Sequence, residues 1–84
     1  MRYSKRDREM AARLCSIKAS HEWPAPGHVT PWWVGMDEVI NACGASDTAS
    51  ELAWAAADAA FPDNTVGVEC WAEAEALIRT GWSP

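Results

Sequence analysis

The stretch HEWPAPGHVTPWW, His21 to Trp33, decides the fold, because it cannot be helix interior while everything on either side of it reads as helix. In Trp23-Pro24-Ala25-Pro26-Gly27 each proline removes a backbone donor, fixes its own φ and pushes the preceding residue toward extended geometry. A semi-rigid loop over residues 20–30 follows from this. Thr30-Pro31 then restarts a helix, with Thr as N-cap and Pro at the first helical position. The same thirteen residues hold three of the six tryptophans, three of the five prolines and both histidines.

On the N-terminal side, Ser4-Lys5-Arg6-Asp7 has capping-box spacing, with Asp7 reaching back to the Ser4 amide. Met10, Leu14 and Ile17 recur at helical spacing beside Ala11 and Cys15, while Glu9, Arg13, Ser16 and Ser20 form a polar face on which Glu9 and Arg13 can pair. The spacing predicts a helix over 5–19. On the C-terminal side, Trp32, Met36, Val39, Ile40 and Cys43 share one face of a second helix, 31–43, with Gly44 as its stop. Thr48-Ala49-Ser50-Glu51 is another capping box, opening an alanine-rich third helix over 48–60 that carries Leu52, Trp54 and Ala56 and ends before Phe61-Pro62. Pro62-Asp63-Asn64 is turn chemistry. A fourth helix, 66–80, turns Val68, Trp71, Ala74 and Ile78 inward and ends at Gly81, although Thr65-Val66-Gly67-Val68 also fits a short strand. The expected fold is all-α, a compact bundle of four short helices in one domain over 1–84.

Eighty-four residues leave room for one small core. Alanine supplies filler and tryptophan bulk, and core packing accounts for Trp54 and Trp71. No apolar run is long enough to span a bilayer, and no apolar core of a signal peptide follows the basic head, which points to a cytoplasmic protein. Cys15, Cys43 and Cys70 are an odd number without CxxC spacing, a poor disulfide framework and a poor zinc site. They are expected to act as small buried hydrophobes.

Charge is divided unevenly. Residues 1–20 carry six basic and two acidic side chains, net +4, and residues 21–84 carry one basic and ten acidic, net −9, which sum to −5. The basic head, Arg2, Lys5, Arg6 and Arg8, crowds a helix start where the macrodipole disfavours cations. It is expected to pair with the acidic body or to be merely solvated, the alternative being a contact with phosphate or an acidic partner. Glu51 and Asp58 on the third helix, and Glu69 and Glu73 on the fourth, each project from one side, and such a face attracts basic clefts while repelling nucleic acid. The simpler role for these acids is solubility.

Catalytic constellations are thin. There is no HExxH, glycine-rich phosphate loop or GxSxG, and Glu69 and Glu73 read as solvated. His21 and His28, with Glu22 and Asp37 as potential neighbours, are expected to be surface histidines without a ligand role, the alternative being a metal site made from them. The chain is expected to be no enzyme and to hold neither metal nor cofactor.

Val39-Ile40-Asn41-Ala42-Cys43-Gly44-Ala45-Ser46 looks like the turn of a helix-turn-helix, yet the helix after it offers Asp47, Glu51 and Asp58 and no Lys or Arg for phosphates. Helix-turn-helix geometry without direct DNA binding follows. Trp32 and Trp33 are adjacent, so a helix turns them about 100° apart and at least one is partly exposed. Trp23, Trp32 and Trp33 are therefore candidate anchors for a protein partner, the alternative being that Trp23 and Trp33 fold back over helix ends.

The head Ser4-Lys5-Arg6-Asp7-Arg8-Glu9-Met10-Ala11-Ala12-Arg13-Leu14-Cys15 resembles the starts of small phage- and prophage-encoded proteins, and the size, acidity and helical content are similar to several anti-CRISPR inhibitors. That resemblance covers about a fifth of the chain and implies binding to a host protein or nucleic-acid-binding complex, without catalysis or cofactor. The expected function is that of a small acidic inhibitor or adaptor. The alternative is a helix-turn-helix-like DNA-binding or transcription-regulating protein that uses the basic head.

Overall fold

Ser4 opens the first helix by accepting the Asp7 amide at Oγ, 3.1 Å away, and the chain then runs as α1, Lys5–Ser20. The computed structural model describes residues 3–20, 35–60 and 68–84. Three further helices follow, α2 (Met36–Cys43), α3 (Asp47–Ala60) and α4 (Val68–Arg79), with no strand among the described residues. The fold is an all-α bundle of four helices. Helix α1 is its centre, packing against α4, α3 and α2, while α3 also packs against α4.

The helix boundaries correct several local expectations. Helix α2 begins at Met36 rather than Pro31, because Gly35 is extended at φ −72°, ψ 160° and its carbonyl accepts the amides of Glu38 and Val39. Glycine is a poor helix former, and Asp37 and Glu38 then fill the first turn, where negative charge is favoured. Thr30, Pro31, Trp32 and Trp33 lie outside the described residues.

Helix α3 is capped by Ser46, not Thr48. Ser46 Oγ accepts the Ala49 amide at 3.1 Å and its carbonyl accepts the Ser50 amide at 3.0 Å. Both residues satisfy the local capping rule, but Ser46 has a second attachment: its hydroxyl donates to Asp7 Oδ1 at 3.0 Å. Asp7 is thus tied to the α2–α3 turn instead of closing the capping box on Ser4.

The stops are as the sequence predicts. Gly44 takes φ 64° and Gly81 φ 98°, the left-handed conformation that ends a helix without a Cβ penalty. After each, the following amide reaches back to the helix, Ala45 to the Ile40 carbonyl and Trp82 to the Leu77 carbonyl. Helix α4 starts at Val68 and stops at Arg79, inside the expected 66–80; residues 65–67, where strand and helix were both open, lie outside the described residues.

Inside, the largest fully buried side chains are Trp71, Leu14, Leu52, Val39 and Cys15. Around them Ala11, Ala12, Ala49, Ala53, Ala56 and Ala74 are essentially without solvent contact. Residues 49, 52, 53 and 56 repeat at i, i+3, i+4, i+7, one stripe of α3, and its alanines let the neighbouring helices approach closely. Lys18 joins this interior at 8% exposure, because 11, 14, 15 and 18 form the corresponding stripe of α1. Its aliphatic stem suits the site, and burial lowers the pKa of its ammonium.

Cys15 and Cys70 are buried and Cys43 is half-buried; none of the three is in a disulfide, and the Cys70 thiol donates to the Ala57 carbonyl at 3.5 Å. Burial, helped by the negative potential of Glu75 and Cys70, pushes the Cys15 thiol from 9.0 up to about 12. The native state therefore holds this proton more tightly than the unfolded chain. The stability it contributes is whole below pH 9 and is lost as pH rises toward 12. Lys18 acts in the opposite sense, since its burial is costly only while it is charged and is relieved as pH approaches its ordinary 10.5. Iodoacetamide at pH 8 is expected to label Cys43 first in the native protein, with Cys15 and Cys70 reacting only after denaturant is added. Intact-mass counting and peptide mapping check this, and equal native labelling of Cys15 would contradict it.

Candidate protein-docking face

Helix α3 turns its alanine stripe inward and a different set of residues outward. Asp47, Glu51, Trp54 and Asp58 fall at i, i+4, i+7, i+11, so they follow one another along a single line of the helix surface. With Ser50 and Ala55 they line an open groove of about 570 Å³. Asp47, Glu51 and Asp58 are exposed, and no salt bridge among the described residues engages them.

Trp54 sits in the middle of this line and is 40% exposed, the one exposed large hydrophobic side chain among the described residues. This corrects the expectation that core packing accounts for it. Leu52 and Trp54 are about 200° apart around a helix, so when Leu52 is fully buried Trp54 must face away. The angular reasoning that separates Trp32 from Trp33 was enough to find Trp54 from sequence. The indole is not loose, because it meets Trp71 edge-on with ring centroids 5.3 Å apart and an interplanar angle of 73°. That contact is of the favourable T-shaped kind. It rests the indole on the core.

Trp71 itself is 1% exposed, and among the described residues its Nε1 has no hydrogen-bond acceptor. A buried, unpaired N–H of this kind costs about 1–3 kcal/mol, which the ring's burial must outweigh.

The acidic residues of the fourth helix do not join this groove. Glu73 is exposed on α4 and is absent from the lining, and the side chain of Glu69 lies outside the described residues. Glu75 is half-buried and accepts a 2.8 Å bond from Arg79 Nε, while Arg79 also reaches Glu9 at 3.4 Å. Glu9 thus meets Arg79 rather than Arg13. The bridge to Glu9 is largely solvated and that to Glu75 is an i,i+4 pair with a partly exposed arginine, so both contribute little to stability.

The basic head divides. Arg8 turns inward, and its Nη2 donates to the carbonyls of Ile78 at 2.6 Å and Trp82 at 2.9 Å, while Nη1 donates to Ser83 Oγ at 3.3 Å. The end of α4 lies beside the first turns of α1, so a cation misplaced for its own helix is well placed for the negative end of its neighbour. The head does dock on the body at Arg8, through carbonyl oxygens rather than carboxylates. Lys5 and Arg6 remain exposed and, with Glu9, Met10 and Arg13, line a second open groove. Arg2 lies outside the described residues.

Trp23, the expected anchor beside Trp32 and Trp33, likewise lies outside them, as do His21 and His28. Among the described residues no group of three or more His, Cys, Asp or Glu could hold a metal ion, and no helix is long and apolar enough to cross a membrane. No protein-family model, curated protein or solved structure matches the chain.

Proposed function

We propose that this chain is a small acidic protein-binding module, an inhibitor or adaptor that occupies a basic surface or nucleic-acid cleft of a larger complex through the outer face of α3. The observation that carries the reading is Trp54, a 40% exposed indole in line with Asp47, Glu51 and Asp58. Tryptophan is enriched at binding hot spots, and large exposed apolar side chains flanked by polar ones mark interaction surfaces. The unpaired carboxylates add a field that draws in a basic surface. Such a module works by occupancy and needs no catalytic group, in keeping with the resemblance of the head to phage proteins and of the overall character to anti-CRISPR inhibitors.

The test uses the tagged full chain as bait in a host lysate beside two charge-reversed forms. Glu51→Lys with Asp58→Lys is expected to abolish recovery of the principal partner, and Glu73→Lys is expected to leave it within about twofold. Equal loss from both would refer binding to net charge, and retention by both would remove α3 from the interface.

A second reading, DNA binding, is favoured by one observation, the exposure of Lys5, Arg6 and Arg13 along α1. With three such cations the slope of log K against log salt would reach only about −3. Submicromolar affinity for duplex DNA at physiological salt, lost in Lys5→Ala with Arg6→Ala, would replace the first reading with this one.

A further inference from the structure

We infer that the α3 face is selective for arginine: it takes a basic peptide segment that lays a guanidinium on the Trp54 ring while neighbouring cations meet Glu51 and Asp58. The inference rests on the reading of α3 as the docking face and adds the chemistry of what docks.

Charge decides the sign of the occupant. Glu51 lies one turn before Trp54 and Asp58 one turn after it, and the exposed Asp47 extends the same line. No described cation of the chain itself neutralises the three. An acidic or neutral apolar segment seated on the indole would bury or crowd these carboxylates without compensation, whereas a basic one pairs with them.

The indole decides between arginine and lysine. An aromatic ring attracts a cation held over its face, tryptophan most strongly, and the planar, weakly hydrated guanidinium stacks there while still presenting N–H groups at its rim to carboxylates. Lysine's compact ammonium is more strongly hydrated and can satisfy the ring or a carboxylate, with less overlap of either kind. The contact with Trp71 fixes the indole in advance, so little rotamer freedom is lost when a guanidinium arrives.

Spacing constrains the partner as well. Glu51 and Asp58 are seven residues apart, about 10.5 Å along the helix axis. A helical segment with cations at i and i+7 and an arginine between them at i+3 or i+4 lies on one line of its own surface and matches this length.

The experiment titrates the full chain, labelled with ¹⁵N, with three alanine-based helical peptides bearing Arg, Lys or Gln at i, i+4 and i+7. The Trp54 indole resonance is assigned by its absence in Trp54→Phe. With the Arg peptide that resonance and the amides of Glu51 and Asp58 are expected to shift together, with the Arg peptide binding about two- to fivefold more tightly than the Lys peptide, the range of an exposed cation–π contact. The Gln peptide is expected to shift none of them. In Trp54→Leu, whose remaining amide spectrum reports that the fold is intact, the preference for Arg over Lys should vanish while weak binding of both persists. Equal binding of Arg and Lys peptides to the wild type, shifts centred on Glu73, or no binding of either peptide would each overturn the inference. If in addition lysate capture still depends on Glu51 and Asp58, the docking reading stands without the arginine chemistry; if that dependence is also absent, both fail.

Discussion

Trp71→Ala is expected to cost about 3–5 kcal/mol, the largest loss expected from a single side chain among the described residues. Among the described residues Trp71 is the largest fully buried side chain, on a helix packed against both α1 and α3, and truncating it removes the ring on which Trp54 rests and leaves a void in the core. Native domains are stabilised by roughly 0.05–0.15 kcal/mol per residue, so for 84 residues the loss is a large part of the total. Thermal unfolding followed by circular dichroism should show a midpoint lowered by at least about 12 °C. Trp71→Phe is expected to lose much less, because it keeps most of the ring while deleting the Nε1–H that is buried without an acceptor. A fall of under 5 °C for the alanine variant would mean that the core is organised elsewhere.

The second large effect is expected at Arg8. Its guanidinium holds the carbonyls of Ile78 and Trp82 and the hydroxyl of Ser83, and so closes the end of α4 against the start of α1. Hydrogen bonds from a charged donor are worth more than neutral ones, and Arg8→Ala leaves part-buried carbonyls without this partner, for a cost of about 1.5–3 kcal/mol. Arg8→Lys restores the charge but not the fork, so it should recover less than half of the loss. Amide hydrogen exchange provides the specific readout: in Arg8→Ala the amides of Gly81 and Trp82 should lose protection first, while those of α2 keep theirs. Neighbouring exposed cations offer the control, since Arg6→Ala should change the midpoint by no more than a few degrees.

Arg8 also shows what could and could not be read from the chain. Four helices were legible because apolar spacing marks each of them, the Ser4 cap opens α1, and the left-handed Gly44 and Gly81 close α2 and α4. A cation at the wrong end of α1 was visible as a puzzle, but its solution depends on the end of α4 lying beside it, which no local rule specifies. The start of α3 failed for the same reason. Thr48 has the better local signal, a capping box with Glu51, but Ser46 has a partner that no local rule shows, Asp7, thirty-nine positions away in the chain.

The candidate face was half legible. Glu51 and Asp58 were picked out by charge and spacing, whereas Trp54 was assigned to the core on composition, although its position relative to Leu52 already set it on the other side of the helix. Physical periodicity outranks residue type here. A tryptophan is more often buried than not, but the angle between two neighbours on one helix is fixed by geometry.

Helix α3 therefore carries two independent texts on one backbone. Its inner column of alanines admits no larger residue, because each added methylene must push neighbouring helices apart, so that side is closed to change. Its outer line of carboxylates is solvated, and exchanging Glu51 or Asp58 should alter the fold's stability by no more than about 0.5 kcal/mol. Under the docking role proposed for α3, its partner is therefore exchangeable, by mutation or by design, without altering the architecture. Trp54 is the exception: resting on Trp71, it is the single word shared by both texts, and the position at which a change of partner would also be felt as a change of stability.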